Sequence, residues 1–423
     1  MSSILTNNSA MVALQTLQSI NKDLAMTQNE ISTGKSISSA RENAAIWSIS
    51  QVMQSDVDGF DAISDSLALG ESTVAVGRNA AESVTSLLNQ IKDKIVNSQE
   101  AGFDRETLQD DVASLTAQIE GIVSAAQFNG QNLLSNKDTA ATYADIVADV
   151  DGSGEISILS SLDRSSDGSV ASSFINVAKQ DLGTEDGTAG GLTLAAAALT
   201  ADAATVADGA TAGYNIVGET ATADRNAAVM AGDGYEFDMT TVGGTGSVTY
   251  IARDGDTASD VAAGLAARAE FAVKEQGITG VSFSSDGANF NLTNNTGANI
   301  ATVAGDFTLS GGGTAGGGLE LLGDIDVSTE DGAAAALSAI EGLIQTSINA
   351  AAEFGTGEKR LEIQAEFVSK LTDSLKSGIG ALIDADMEEA SARLQALQVQ
   401  QQLGIQSLSI ANQAPQQLLS LFR

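Results

Sequence analysis

The chain has 423 residues, 43% of them hydrophobic but only 4% aromatic, so it is long enough for two or three domains whose packing must rest on small residues and close backbone approach. Its formal net charge of -35, most of it between residues 136 and 330, repels phosphate backbones and anionic lipid surfaces and argues against nucleic-acid and membrane partners. The absence of both His and Cys excludes disulfides, thiolate nucleophiles, zinc sites built on those residues and imidazole acid/base chemistry.

Residues 1–35 place Ala10, Leu17, Leu24 and Ile31 seven apart with Ala13 and Ile20 interleaved, which predicts a helix that needs a partner. Met1 to Ser9 lacks a basic n-region and no apolar core precedes a small-residue cleavage site, so no cleavable secretory signal is expected. With the missing Cys, this favours export by a route that does not cleave a signal. The polar run Ser32–Ser39 is a joint, after which Ile46, Ile49 and Met53 resume helical spacing. Phe60, Leu67, Val74, Ala81, Leu88 and Ile95 fall seven apart, with Ile63, Val84 and Ile91 between them, and predict one long helix with a continuous apolar stripe. After a break at Ala101-Gly102, Leu108, Val112, Leu115, Ile119, Ile122 and Ala126 predict a second helix folding back on the first.

From about Asn136 the composition shifts to Asp, Gly, Thr and Ala, and dipeptides such as Asp151-Gly152, Asp208-Gly209 and Asp233-Gly234 punctuate predicted strands. Val281–Ser284 turns at Asp286-Gly287 into Phe290–Thr293, a hairpin by spacing, and Thr257–Glu270 reads as a short helix. The tract Gly311–Gly318 predicts a flexible loop, since no apolar strand precedes it and no Lys-Ser/Thr follows. Leu337, Ile340 and Ile344 open a third long seam, continued by Leu361, Val368, Leu375 and Leu382 with Leu371 between. Met387, Leu394 and Leu408 share a heptad position that Gln401 interrupts, and beyond the only proline, Pro415, the residues Leu418, Leu419, Leu421 and Phe422 predict a docked tail. No stretch reaches the roughly 18 apolar residues of a membrane span. The fold class is α+β: long coiled-coil or bundle helices from both termini and a mainly β insertion.

Three motifs carry a resemblance to bacterial flagellin. Glu30–Lys35 with Ile37, Ser39-Ala40-Arg41 and Asn43-Ala44-Ala45 resembles that family's N-terminal joint, Phe128–Leu134 its Phe-Asn-Gly-x-x-Leu-Leu motif, and Ala411–Leu421 its C-terminal signature. The resemblance implies an inner all-α domain from residues 1–40 with 384–423, a bundle domain with a hairpin from 41–135 with 331–383, and a variable, surface-exposed β-rich domain over 136–330. It implies a structural subunit that polymerises into the filament for swimming motility, not an enzyme, and needing no cofactor. Its partners would be many copies of itself, the flagellar type III export apparatus and its chaperone, and cap and hook-junction proteins at the filament ends. The assembly interface would draw on Leu17, Leu24 and Ile31, on Leu88, Ile91 and Ile95, and on Leu394, Leu397, Leu408, Asn412, Gln413, Leu418 and Leu421. A hook-filament junction protein shares the terminal architecture, and a secreted coiled-coil adhesin would bind through the middle domain; the C-terminal signature favours the filament subunit. Gln90 stands where the family usually has an Arg and Lys94 where it has Leu, which implies weak activation of the innate receptor that reads that patch.

Other candidates are weaker. Asp149–Ser157 has the alternating oxygens and the turn Gly of a calcium loop, but Ser160 stands where the bidentate Glu belongs. Asn291-Leu292-Thr293 and Asn294-Asn295-Thr296 fit a glycosylation sequon. Asp110-Asp111 and Glu388-Glu389 are adjacent on predicted helices and so do not face each other as an acid/base pair.

Overall fold

The structure is a computed structural model that describes residues 7–100, 102–135, 154–164, 169–190, 192–194, 205–216, 229, 232–253, 256–301 and 307–421. It divides into two compact units, Met1–Asp65 with Ala365–Arg423 and Ser66–Gln364.

In the first unit, α1 (Asn8–Thr33) starts at Asn7, whose side chain accepts from the Ala10 amide at 3.1 Å, and stops at Gly34, whose φ of 70° ends the helix in a left-handed turn. Parts of α2 (Ala44–Ser98) and α5 (Glu330–Ile383) and all of α6 (Met387–Leu421) complete this unit. Its core gathers Val57, Ile379 and Ile383, with Ile37, Ile46, Met53 and Leu375 packed against them. Here the third seam departs from expectation, because Leu382 is 38% exposed while Thr372, Ile379 and Ile383 are buried. A helix turns every 3.6 residues, so a strict seven-residue row drifts by about 20° per heptad unless the helix supercoils. By the fourth position, Leu382 has rotated off the buried face.

In the second unit the α2 stripe is buried as predicted: Leu67, Val74, Ala81, Leu88 and Ile95 are all inaccessible. Thr85 Oγ1 meets Ser347 Oγ at 2.8 Å, and Ser347 also donates to the Ala81 carbonyl at 3.1 Å, tying α2 to α5. Phe354 lies 3.4 Å from where a β-carbon on Gly77 would stand, so the small residue admits the ring. After α3 (Arg105–Ala125), capped by Asp104, the strands β1 (Gln127–Phe128) and β2 (Gln131–Asn132) form a two-residue hairpin. Its central residues Asn129 and Gly130 have φ of 51° and 79°, the positive pair that such a turn demands. The hairpin seats Leu133 and Leu134 in the core.

The inserted module packs α4 (Ala258–Glu275) against two sheets. One is ordered β5 (Leu192–Leu194), β13 (Phe307–Gly311), β8 (Gly234–Asp238), β9 (Ser247–Ile251), and the other β10 (Val281–Asp286), β11 (Asn289–Asn294), β7 (Ala210–Asn215). The predicted hairpin is β10–β11, closing at Asp286 opposite Asn289. Gly234 begins a strand where its Asp-Gly dipeptide predicts a turn. The module concentrates the chain's scarce aromatics: Tyr214, Phe237, Phe283, Phe290 and Phe307 form one cluster, with Phe237 and Phe307 ring centroids 5.1 Å apart. Small-residue packing therefore fails for this core, and the buried row of α2 likewise rests mainly on Leu, Ile and Val, packed with Phe354. A separate hairpin, β3 (Glu155–Arg164) with β4 (Val170–Ala178), places Ile158 over Gly70.

The glycine tract is not the loose loop that its composition predicts. Thr314 exchanges backbone hydrogen bonds with Thr188 at 2.8 and 2.9 Å, and Gly313 N donates to Gly232 O at 2.9 Å. A β-carbon on Gly317 would collide with the Gly183 carbonyl, and one on Gly318 with the Asp181 carbonyl. The segments entering and leaving the module are zipped together, and only glycine permits that approach.

Candidate assembly interface

The two terminal helices pair antiparallel. At one end Ala385 N donates to Gly34 O at 3.0 Å and Ser36 N to Ile383 O at 2.7 Å. Further along, Gln401 Nε2 donates to Asn21 Oδ1 at 2.7 Å, and at the far end Asn7 Nδ2 donates to Ala411 O at 2.8 Å. The seam holds Ala10, Ala13, Leu17, Ile20, Leu24, Thr27 and Ile31 against Ala390, Leu394, Leu397, Gln401, Gly404, Leu408 and Ala411, each row stepping by three and four. Gln401 does not spoil this row as its sequence position suggests; it sits on the seam with an amide partner. Met387 lies off the seam and is exposed.

Two helices bury only part of their apolar surface. Of the seam residues only Thr27, Ala390 and Leu397 are buried, and the outward faces leave Met11 61%, Val12 63%, Leu403 58% and Ile410 69% exposed, with Leu14, Met26, Val399 and Ile405 beside them. Between the helices runs a groove of about 720 Å³ lined by Asn8, Ser9, Val12, Ala13, Thr16, Ile20, Gln400, Leu403, Gly404 and Ser407, none of them charged. In a chain of net charge -35 that is an unusual surface, and exposed apolar area of this kind marks an interface.

Residues 4–139 match the bacterial flagellin N-terminal helical region and residues 337–422 the bacterial flagellin C-terminal helical region. The chain is 35% identical to Flagellin A of Rhizobium meliloti over 431 aligned residues and 33% identical to Flagellin B of that organism over 438, in each case spanning the whole of both proteins. A flagellin of Brucella melitensis biotype 1 is 28% identical over 424 residues, again end to end. This chain belongs to the bacterial flagellin family. It is a structural subunit of the flagellar filament that drives swimming, and the family's work is structural, not enzymatic.

The predicted interface residues of this flagellin fall into three groups. Leu17, Leu24, Ile31, Leu394 and Leu408 are half-buried on the α1–α6 seam, Leu397 is buried there, and Asn412 and Gln413 are exposed on α6. Leu88, Ile91 and Ile95 are wholly buried in the second unit, where they face the chain's own core. Leu418 and Leu421 lie on the α6 backbone, but their side chains fall outside the described residues. Sequence reasoning missed the outward residues Met11, Val12, Leu14, Val399, Leu403 and Ile410; the signal was a second apolar row beside the seam. Gln90 is exposed and Lys94 binds Asp111 at 2.6 Å.

Within the second unit a cleft of about 600 Å³ brings together Asp181, Tyr250, Arg253, Asp256, Arg268 and Glu320. These groups satisfy one another. Tyr250 donates to Asp256 at 2.7 Å, Arg253 donates to the carbonyls of Gly316 at 3.0 Å and Gly317 at 2.7 Å, and Arg268 pairs with Glu320, which accepts from Gly187 N at 2.8 Å. Burial pushes the Asp181 and Asp256 carboxyls up, and pushes the Tyr250 phenol well above its ordinary value. The arrangement clamps the zipped glycine segments. Most of the calcium-loop candidate, including Asp149 and Asp151, lies outside the described residues. Asn294 of the second sequon is buried, its amide donating to Val206 O and Ala298 O, so the folded chain hides it. No helix among the described residues is long and apolar enough to cross a membrane.

Proposed function

We propose that the α1–α6 pair is the polymerising device of this subunit. The observation that carries this is the apolar outward face on both helices with the uncharged groove between them, set in a strongly acidic chain. Leu17, Leu24, Ile31, Leu394, Leu397 and Leu408 would hold the pair together, neighbouring copies would meet it through the outward residues Met11, Val12, Leu14, Val399, Leu403 and Ile410 with Asn412, Gln413, Leu418 and Leu421, and Leu88, Ile91 and Ile95 would act by stiffening the bundle. Contacts between unlike surfaces that do not close give a helical polymer. The chain is then layered as residues 1–40 with 384–423 inside, 41–135 with 331–383 around them, and 136–330 facing solvent, where acidic repulsion does least harm. The protein is not an enzyme and takes no cofactor. It leaves the cell unfolded through the flagellar type III export apparatus with its chaperone, a passage suited to a chain without Cys, and joins an extracellular filament that ends in cap and hook-junction proteins.

Electron microscopy of the full chain after seeding or salting out, beside a chain lacking residues 384–423, tests the proposal. Filaments are expected from the full chain alone. Filaments from the truncated chain would remove α6 from the interface, and none from either would favour a junction protein or an adhesin.

A further inference from the structure

Each terminal helix carries apolar residues on two faces, one turned to its partner helix and one turned out, and apolar packing alone does not say which is which. On α1 the inward row is Leu17, Leu24 and Ile31 and the outward residues are Met11, Val12 and Leu14; on α6 the inward row is Leu394, Leu397 and Leu408 and the outward residues are Val399, Leu403 and Ile410. A helix rolled about its axis would exchange one apolar surface for another at little cost, and then present the wrong face to other copies. Something in the seam must break that degeneracy.

We infer that the Asn21–Gln401 amide pair, together with the fit of Leu17 over Gly404, selects which apolar face of each terminal helix is kept inside the subunit and which is left for neighbouring copies. This rests on the reading of α1 and α6 as the assembly surface. The two backbone hydrogen bonds at the joint hold the helices at one end but do not fix their roll further along. Among the described residues, the hydrogen bonds between α1 and α6 are the Asn21–Gln401 pair and the Asn7 contact with Ala411 O, and no ion pair spans them. Gln401 stands half-buried in the seam row and Asn21 exposed beside it, so the pair ties the seam at its rim, and a polar residue within a row of apolar ones specifies the pairing of coiled helices. Gly404 supplies the steric half. A β-carbon there would stand 3.2 Å from Leu17 Cδ1 and 3.9 Å from Ile20 Cδ1, so the glycine is the hole into which Leu17 fits. Rolling either helix takes Leu17 out of that hole and separates the amides, so both devices favour the same arrangement.

The chain has no Cys, so engineered pairs report the packing without background. The register that sets Leu17 at Gly404 and Asn21 at Gln401 brings Leu24 opposite Leu397. The Leu24→Cys/Leu397→Cys chain, oxidised after seeding or salting out, is expected to cross-link within each chain on denaturing electrophoresis. Adding Asn21→Leu/Gln401→Leu is expected to lower that yield several-fold while circular dichroism shows the helices retained. The exchanged pair Asn21→Gln/Gln401→Asn is expected to restore it. An unchanged yield in the Leu/Leu variant would overturn the inference, as would failure of the parent to cross-link at this pair. Filaments scored separately by electron microscopy keep the two readings apart. A parent that cross-links within the chain but forms no filaments defeats the assembly reading and leaves the amide selector standing, whereas normal filaments with unchanged cross-linking in the Leu/Leu variant defeat the selector alone.

Discussion

Gly317 faces the Gly183 backbone so closely that a methyl group has no room, and its own carbonyl and that of Gly316 are held by hydrogen bonds from Arg253. Gly317→Ala must therefore push two backbone segments apart, an overpacking cost on the order of 1–3 kcal/mol. Calorimetry or chemical denaturation should show the second unit losing that stability, and an unchanged midpoint would mean that the zipped segments are not under load. Nothing in the tract Gly311–Gly318 foretells this, because its composition is that of a loop and its partners, Asp181 to Gly190 and Gly232, lie far away in the chain. Gln401 misleads in the opposite way. Read on its own helix it breaks a row of leucines, and only Asn21 on the other terminal helix explains it.

At the scale of elements, the long helices were the most legible part of the chain. The α2 row from Leu67 to Ile95 repeats often enough that its period reports a buried face directly, and the hairpin at Asn129-Gly130 was legible through the family motif that contains it. Leu382 escaped because the period assumed was 3.5 residues and the helix drifted off it. The core between α2 and α5 centres on Phe354, which is fully buried over Gly77. Phe354→Ala should cost about 3–5 kcal/mol by leaving a cavity that two long helices cannot easily close. Denaturant unfolding followed by circular dichroism measures it, and a loss below about 1 kcal/mol would mean that the bundle collapses to fill the space.

Over the whole molecule the excess acid shapes how stability responds to pH. In the second unit, burial raises the carboxyls of Asp181, Asp256, Asp324 and Glu275, and the nearby carboxylates Asp186 for Asp324, and Asp324 and Asp326 for Glu275, push in the same direction. A carboxyl whose folded pKa lies above its unfolded value holds its proton more tightly when folded. Stability therefore falls as pH rises from the ordinary carboxylate range through those raised values, and the loss is complete above them. Asp238, held low by its hydrogen bonds to Thr240, acts oppositely but only at more acid pH. The unit should thus melt at a higher temperature near pH 5 than near pH 8, and Asp181→Asn should flatten the slope. Scanning calorimetry across that range is the check, with a melting temperature that climbs toward pH 8 as the contrary result.

The sequence by itself determined the long terminal helices, their buried rows, the turn at Asn129-Gly130 and the family, because each is written in local spacing or in a short motif that depends on no distant partner. Only the tertiary structure decided that the glycine tract is a packed crossing, that Gln401 has an amide partner, and that Met11, Val12, Leu403 and Ile410 face out. Those outcomes depend on which residues far apart in the chain are brought together, and an apolar residue looks the same in sequence whether its own chain covers it or leaves it for another.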